Sequence, residues 1–130
     1  MINRLTDALS FQTEALVLRS ERQRLISSNI ANADTPGYVA RDFDFAQALR
    51  EATSARATDG AGGAGGAVRR AAPTLRYAAP SQTNLDGNSV DMDRERAAFT
   101  DNSVKYEATL RFINGSVRTM LEAMKSHHGG

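Results

Sequence analysis

The stretch NIANADTPGYVARDFDF, Asn29 to Phe45, divides the chain into unlike parts. Upstream of it, from Ile2 to about Ala33, there is neither proline nor glycine, and apolar residues recur at helical spacing. At the stretch itself Thr35 precedes a proline and is pushed away from helix, Pro36 presets the first turn position, and Gly37 accepts the positive φ that a type II turn needs at the second. Asp34 is placed to accept from the Gly37 N–H, and Asn29 and Asn32 to bond helix-end carbonyls or the backbone of an adjacent segment. Beyond the turn, an extended run would set Asp42 and Asp44 on one side and Phe43 and Phe45 on the other, an amphipathic edge. The expectation is a stiff corner that stops one helix and throws the chain sideways. Any helix-terminating turn uses the same chemistry, so the corner alone names no function.

The first helix carries two apolar faces. At roughly 100° per residue Ile2, Leu5, Leu9, Leu16 and Ile30 gather on one side, with Phe11, Leu18 and Leu25 almost opposite. Opposed stripes call for neighbours on both sides, and a helix sandwiched within one small bundle needs more helices than the sequence offers. A second long segment runs from about Asp91 to Ser126, with Asp91 and Asp93 favoured as cap and first-turn acid and Lys125 in the last turn. Within it Phe99, Ser103, Tyr106, Leu110, Ile113, Val117, Met120 and Met124 follow an alternating four-three spacing, a heptad seam with one polar position. On the same register the first helix is less regular, with Gln12, Arg19 and Gln23 at seam positions.

The expected fold is mainly α: two long terminal helices packed as an antiparallel coiled-coil-like pair, with a flexible Gly-rich middle and a small β excursion. Its divisions are a helix over 1–33, a turn with a short extended or helical segment over 34–52, a loop over 53–90, a helix over 91–126 and a tail over 127–130. The loop assignment rests on DGAGGAGG and its small-residue surroundings. The β excursion rests on weak strand character at Leu75 and Tyr77, ahead of an Asp86-Gly87 turn signal. Helical patterns of this length in so short a chain point to coiled coil or assembly rather than a globule.

Composition excludes more than it assigns. Sixteen Lys+Arg against fifteen Asp+Glu leave a net charge of +1, too small a field to draw the chain to nucleic acid or anionic lipid. No cysteine is present, so thiolate metal sites and disulfides are excluded. Arg4, Asp7 and Glu14 break any signal-peptide apolar core, and no apolar run spans a bilayer, so the default from these features is a soluble cytoplasmic protein without membrane insertion. His127 and His128, the only histidines, sit beside two terminal glycines, where no metal geometry is fixed. DGNSVD lacks the spacing and final Glu of a calcium loop, and AGGAGG lacks the Lys and hydroxyl residue of a phosphate cradle. No catalytic group, cofactor or metal is expected. Arg69, Arg70 and Arg76 beside Tyr77 are the weak basis for a nucleic-acid reading, and Gly115 within a helix costs about 1 kcal/mol relative to Ala unless a neighbouring helix approaches there.

The sequence SSNIANADTPGYVARDFDFAQAL closely resembles the N-terminal signature of the bacterial flagellar rod, hook and hook-associated axial proteins, in particular Asn29, Ile30, Ala31 and Asn32 followed by Thr35, Pro36, Gly37 and Tyr38. The continuation ARDFDF and the later LDGNSVDMDRE, with Asn102 and Tyr106, resemble the proximal rod subunits of that family. One departure is Arg96, where the family pattern has an apolar Met. The resemblance implies a structural subunit that assembles helically through its terminal helices into the hollow drive shaft of the basal body. It also implies export through the flagellar type III apparatus without signal cleavage, a place in the periplasmic rod, and as partners other copies of itself, FlgC, FlgF, FliE and the export gate. The expected assembly surface is Leu5, Leu9, Phe11, Leu16, Leu18 and Leu25 with Tyr106, Leu110, Ile113 and Val117. The alternatives are an FlgC-like rod subunit and, from another class, a soluble helical adaptor or nucleic-acid-binding module.

Overall fold

The computed structural model describes residues 2–59, 76–77 and 87–128. The Gly-rich loop, Arg69, Arg70 and the run from Ala78 to Asp86 lie outside the described residues. Helix α1 spans Ile2–Ala31, strand β1 Arg41–Asp42, helix α2 Phe45–Asp59, strand β2 Arg76–Tyr77 and helix α3 Met92–His128. Thirty residues make α1 about 45 Å long and thirty-seven make α3 about 55 Å.

The two long helices run antiparallel. Along α1 from its C-terminal end, Asn29 bonds Glu95, Gln23 bonds Ser103, and Leu5 shares a groove with Phe112 and Gly115, so numbers fall on one helix as they rise on the other. Helix α1 is the hub of the molecule: α3, α2 and β1 all pack on it, and among the described residues α2 and α3 do not meet.

Helix α2 corrects the sequence reading in two respects. It continues to Asp59, seven positions past the expected limit at 52, and it makes α1 the middle member of a three-helix arrangement. Its start is fixed by Asp44, whose Oδ1 accepts the Gln47 N–H at 3.1 Å while its carbonyl accepts the Ala48 N–H at 2.9 Å. Small residues read as linker by composition, yet alanine is the strongest helix former, and FAQALREATSARATD holds five alanines. The alternating pattern after the turn therefore ends early: its strand is Arg41–Asp42, and Asp44 caps a helix. Phe43 is buried in a core with Leu18, Leu25 and Ala48, flanked by Phe45 and Leu49. The small β excursion is β1 paired antiparallel to β2, Arg41 opposite Tyr77 and Asp42 opposite Arg76.

Helix α3 begins where its cap was expected. Asp91 Oδ1 accepts the Arg94 N–H, and Asp93 and Glu95 occupy the first turn, where negative charge suits the dipole. The helix runs to His128, two residues beyond the expected end. Its inner face is only partly the heptad seam, of which Ser103, Ile113 and Met120 are half-buried. Glu95, Asn102 and Thr109 are the side chains of α3 that are buried, whereas Phe99, Tyr106, Leu110, Val117 and Met124 are 36–59% exposed. At 100° per residue the apolar stripe lies about 50° round α3 from this polar line, so the helix is turned away from the orientation that apolar spacing favours.

Candidate assembly site

The corner closes as a type II turn. Gly37 has φ +74°, and the Thr35 carbonyl accepts the Tyr38 N–H at 3.2 Å across Pro36. Asp34 is exposed, and the turn is instead held by the asparagines around it. Asn32 donates its Nδ2 to the Ser28 carbonyl at 2.8 Å, the same acceptor its own N–H reaches at 3.1 Å, and its Oδ1 accepts from Thr35 Oγ1 at 3.1 Å. Asn29, 1% exposed, grips the departing strand: its Nδ2 donates to the Arg41 carbonyl at 2.8 Å and its Oδ1 accepts the Arg41 N–H at 3.0 Å. Tyr38 leans back over the helix end, donating to Asn29 Oδ1 at 3.2 Å and lying 3.3 Å from Ser28 Oγ.

A later segment locks this corner from outside. Asn88 is fully buried; its Nδ2 donates to the Asn32 carbonyl at 2.9 Å and the Thr35 carbonyl at 2.7 Å, while its Oδ1 accepts the Val90 N–H at 2.8 Å. Ser89 donates its N–H to the Tyr38 carbonyl and accepts the Ala40 N–H on its Oγ, both at 3.0 Å. Gly87, at φ +78°, crosses close to Gly37: a Cβ there would lie 3.7 Å from the Gly37 Cα. The sequence reading gave Asn88 no role, because its partners are carbonyls more than fifty positions away.

Midway along α1 and α3 the contact is polar. Asn102, fully buried, donates to the Arg19 carbonyl at 2.9 Å and to Gln23 Oε1 at 2.7 Å, and Gln23 Nε2 donates to Ser103 Oγ at 2.8 Å. The Arg19 guanidinium stacks 4.3 Å from the centre of the Phe45 ring, joining α1 to α2. Burial, helped by the neighbouring Arg22 charge, lowers its pKa, with Asp101 opposing. Glu95 is 8% exposed, and burial raises its pKa above the ordinary glutamate value, a bond from Asn29 acting against this. Arg22 and Asp42 approach to 3.4 Å, tying β1 to α1.

The expected assembly residues divide in three. Leu18 and Leu25 are buried against Phe43 and Ala48, so α2 has already taken the face reserved for a second subunit. Leu9, Leu16 and Ile113 are half-buried. Leu5, Phe11, Tyr106, Leu110 and Val117 stand exposed, joined by Phe112 and Leu121, which the heptad pattern passes over. Two grooves flank the polar line. One of about 730 Å³ runs from Gln23 and Ser27 to Tyr106 and Leu110; another of about 340 Å³ lies beside Leu5, Phe112 and Gly115. A Cβ on Gly115 would meet nothing within 4 Å, so among the described residues no helix approaches closely there. Arg96 is exposed, which accommodates arginine where the family pattern has Met.

Among the described residues no helix is long and apolar enough to cross a membrane, and no three His, Cys, Asp or Glu side chains are grouped to hold a metal. Comparison with known proteins agrees with the corner. Residues 9–38 match the model of the flagella basal body rod protein family. The chain is 45% identical to the flagellar basal body rod protein FlgB of Escherichia coli (strain K12), over 97% of this chain and 99% of that one. It is 44% identical to FlgB of Salmonella typhimurium over 96% and 98%, and 42% identical to FlgB of Aeromonas hydrophila over 91% and 92%. The helix pair and its Thr-Pro-Gly-Tyr corner thus define a flagellar basal body rod protein. Within that class the chain belongs to the FlgB family.

Proposed function

We propose that the chain is a structural subunit of the proximal rod of the flagellar basal body. The observation that carries this is identity of 41–45% to FlgB proteins over nearly the whole length of both chains. The surface fits a subunit that polymerises: the stripe Phe99, Tyr106, Leu110 and Val117 is exposed although its spacing is that of a packing seam. Leu5, Leu9, Phe11 and Leu16 on α1, with Tyr106, Leu110, Ile113 and Val117 on α3, supply the contacts between subunits. Each large side chain so buried contributes about 1.5–3 kcal/mol, so contacts that a lone subunit lacks stiffen the shaft. Neighbours in this reading are further copies of the chain, FlgC and FlgF above, and FliE and the export gate below. The chain reaches the periplasm by the flagellar export route without a cleaved signal, and export substrates pass through the hollow shaft it helps to form.

Deleting the coding sequence and imaging cell envelopes by electron microscopy tests the proposal. Loss of rod, hook and filament, restored by the gene on a plasmid, is expected. Intact flagella in the deletion strain would overturn it.

A further inference from the structure

Helix α3 carries two faces that compete for α1. One is polar and inward: Glu95, Asn102 and Thr109 are buried along it. The other, about 50° round the helix at 100° per residue, is the apolar stripe of Phe99, Tyr106, Leu110 and Val117. Apolar burial favours packing the stripe on α1, and the groove beside Tyr106 and Leu110 leaves room for that rotation. The chain takes the other orientation.

We propose that Asn102 is the positioning residue that selects which face of α3 packs on α1, and so keeps the apolar stripe outward. This rests on the reading that the outward stripe meets other subunits. The amide is fully buried, and both its donor bonds end on α1: one on the Arg19 backbone carbonyl, whose position no side-chain rotamer can change, the other on Gln23. Gln23 in turn donates to Ser103, the residue that follows Asn102, so the two donors straddle the contact line and oppose rotation about the α3 axis. Asn102 Oδ1 has no partner among the described residues. An amide retained in a seam with an unmet acceptor serves specificity, as a single buried Asn does when it fixes register in a coiled coil. Rotation inward of the stripe would pull the Asn102 donors off Arg19 and Gln23 and carry Asn102 toward the flank now held by Phe112, and the loss of these buried bonds is the penalty that holds the observed face.

The chain has no tryptophan, so single reporters are clean. Tyr106→Trp reads the stripe side and Phe112→Trp the opposite flank, each in the full chain with Asn102 and with Asn102→Leu. The expected result is opposed movement: in Asn102→Leu, acrylamide quenches Trp at 106 less and Trp at 112 more, with helical circular dichroism retained. Unchanged quenching at both sites in a folded Asn102→Leu chain overturns the proposal. If Asn102→Leu unfolds, both reporters become more exposed, and Gln23→Met, which removes only the side-chain half of the clasp, must then give the opposed movement; its absence again overturns the proposal. These reporters read one subunit, so their outcome is separate from whether the stripe binds neighbours, which Leu110→Asp decides by rod assembly.

Discussion

At the scale of single residues the corner is a set of buried backbone groups that asparagines satisfy. Replacing Asn88 by Ala strands the Val90 N–H and takes the side-chain donor from the Asn32 and Thr35 carbonyls, which keep the Thr35 and Tyr38 N–H groups as partners. A buried donor left without a partner costs about 1–3 kcal/mol and each lost hydrogen bond about 0.5–1.5 kcal/mol, so Asn88→Ala is expected to lose about 2–4 kcal/mol, read as a lowered urea midpoint. Asn88→Asp tests the same point differently, since it keeps the acceptor for Val90 and removes both donors. Gly37 is required for its φ of +74° and not for space, because a Cβ there would meet nothing within 4 Å. A left-handed conformation costs an L residue about 1–2 kcal/mol, and a β-branched one more. Gly37→Val should therefore destabilise the turn more than Gly37→Asn, with the ranking checked by thermal unfolding; equal stability of the two would show that the turn has changed type.

Elements show what the sequence disclosed and what it withheld. The corner was legible because Pro36-Gly37 is local chemistry, and so were both long helices, whose apolar spacing and caps are written within a few residues of each other. Gly37 takes the positive φ that its place after Pro36 requires, and Asp91 caps the Arg94 N–H three positions on. Helix α2 is only partly legible: the sequence allows a short extended or helical segment as far as 52, but Asp44 reads as one side of an extended run and the residues from Thr53 on read as loop. The orientation of α3 is not legible, because apolar periodicity identifies a face but not its partner, and the deciding bonds run from Asn102 to residues about eighty positions away. Glu95 gives this level a pH dependence. Burial raises its folded pKa above the unfolded value, so the folded chain binds more protons between the ordinary glutamate pKa and the raised one. Its contribution is therefore most favourable below the unfolded pKa and is lost as pH rises through the folded pKa. Glu95→Gln, which cannot ionise, is expected to be more stable than the native chain at neutral pH, with the gap narrowing on acidification through that window. Denaturant titrations at several pH values check this, and a gap that widens toward acid would mean that the Asn29 bond outweighs burial.

For the whole molecule, stability and assembly are carried by different residues. Leu18, buried against α2 and the Phe43 segment, belongs to the fold, and Leu18→Ala should cost about 2–5 kcal/mol in the isolated chain. Leu110 is 38% exposed and belongs to the outward stripe, so a charge there should cost the isolated chain about 1–2 kcal/mol, less than the loss at Leu18. That separation gives the account its most direct test. Leu110→Asp would be expressed in a strain lacking the native gene and the envelopes imaged by electron cryo-microscopy, with unfolding of the purified variant measured alongside. The account predicts a subunit that still folds, with a stability loss smaller than that of Leu18→Ala, and no rod, hook or filament. Normal rods built from Leu110→Asp subunits would contradict it, because the stripe would then stand outward for some purpose other than joining subunits.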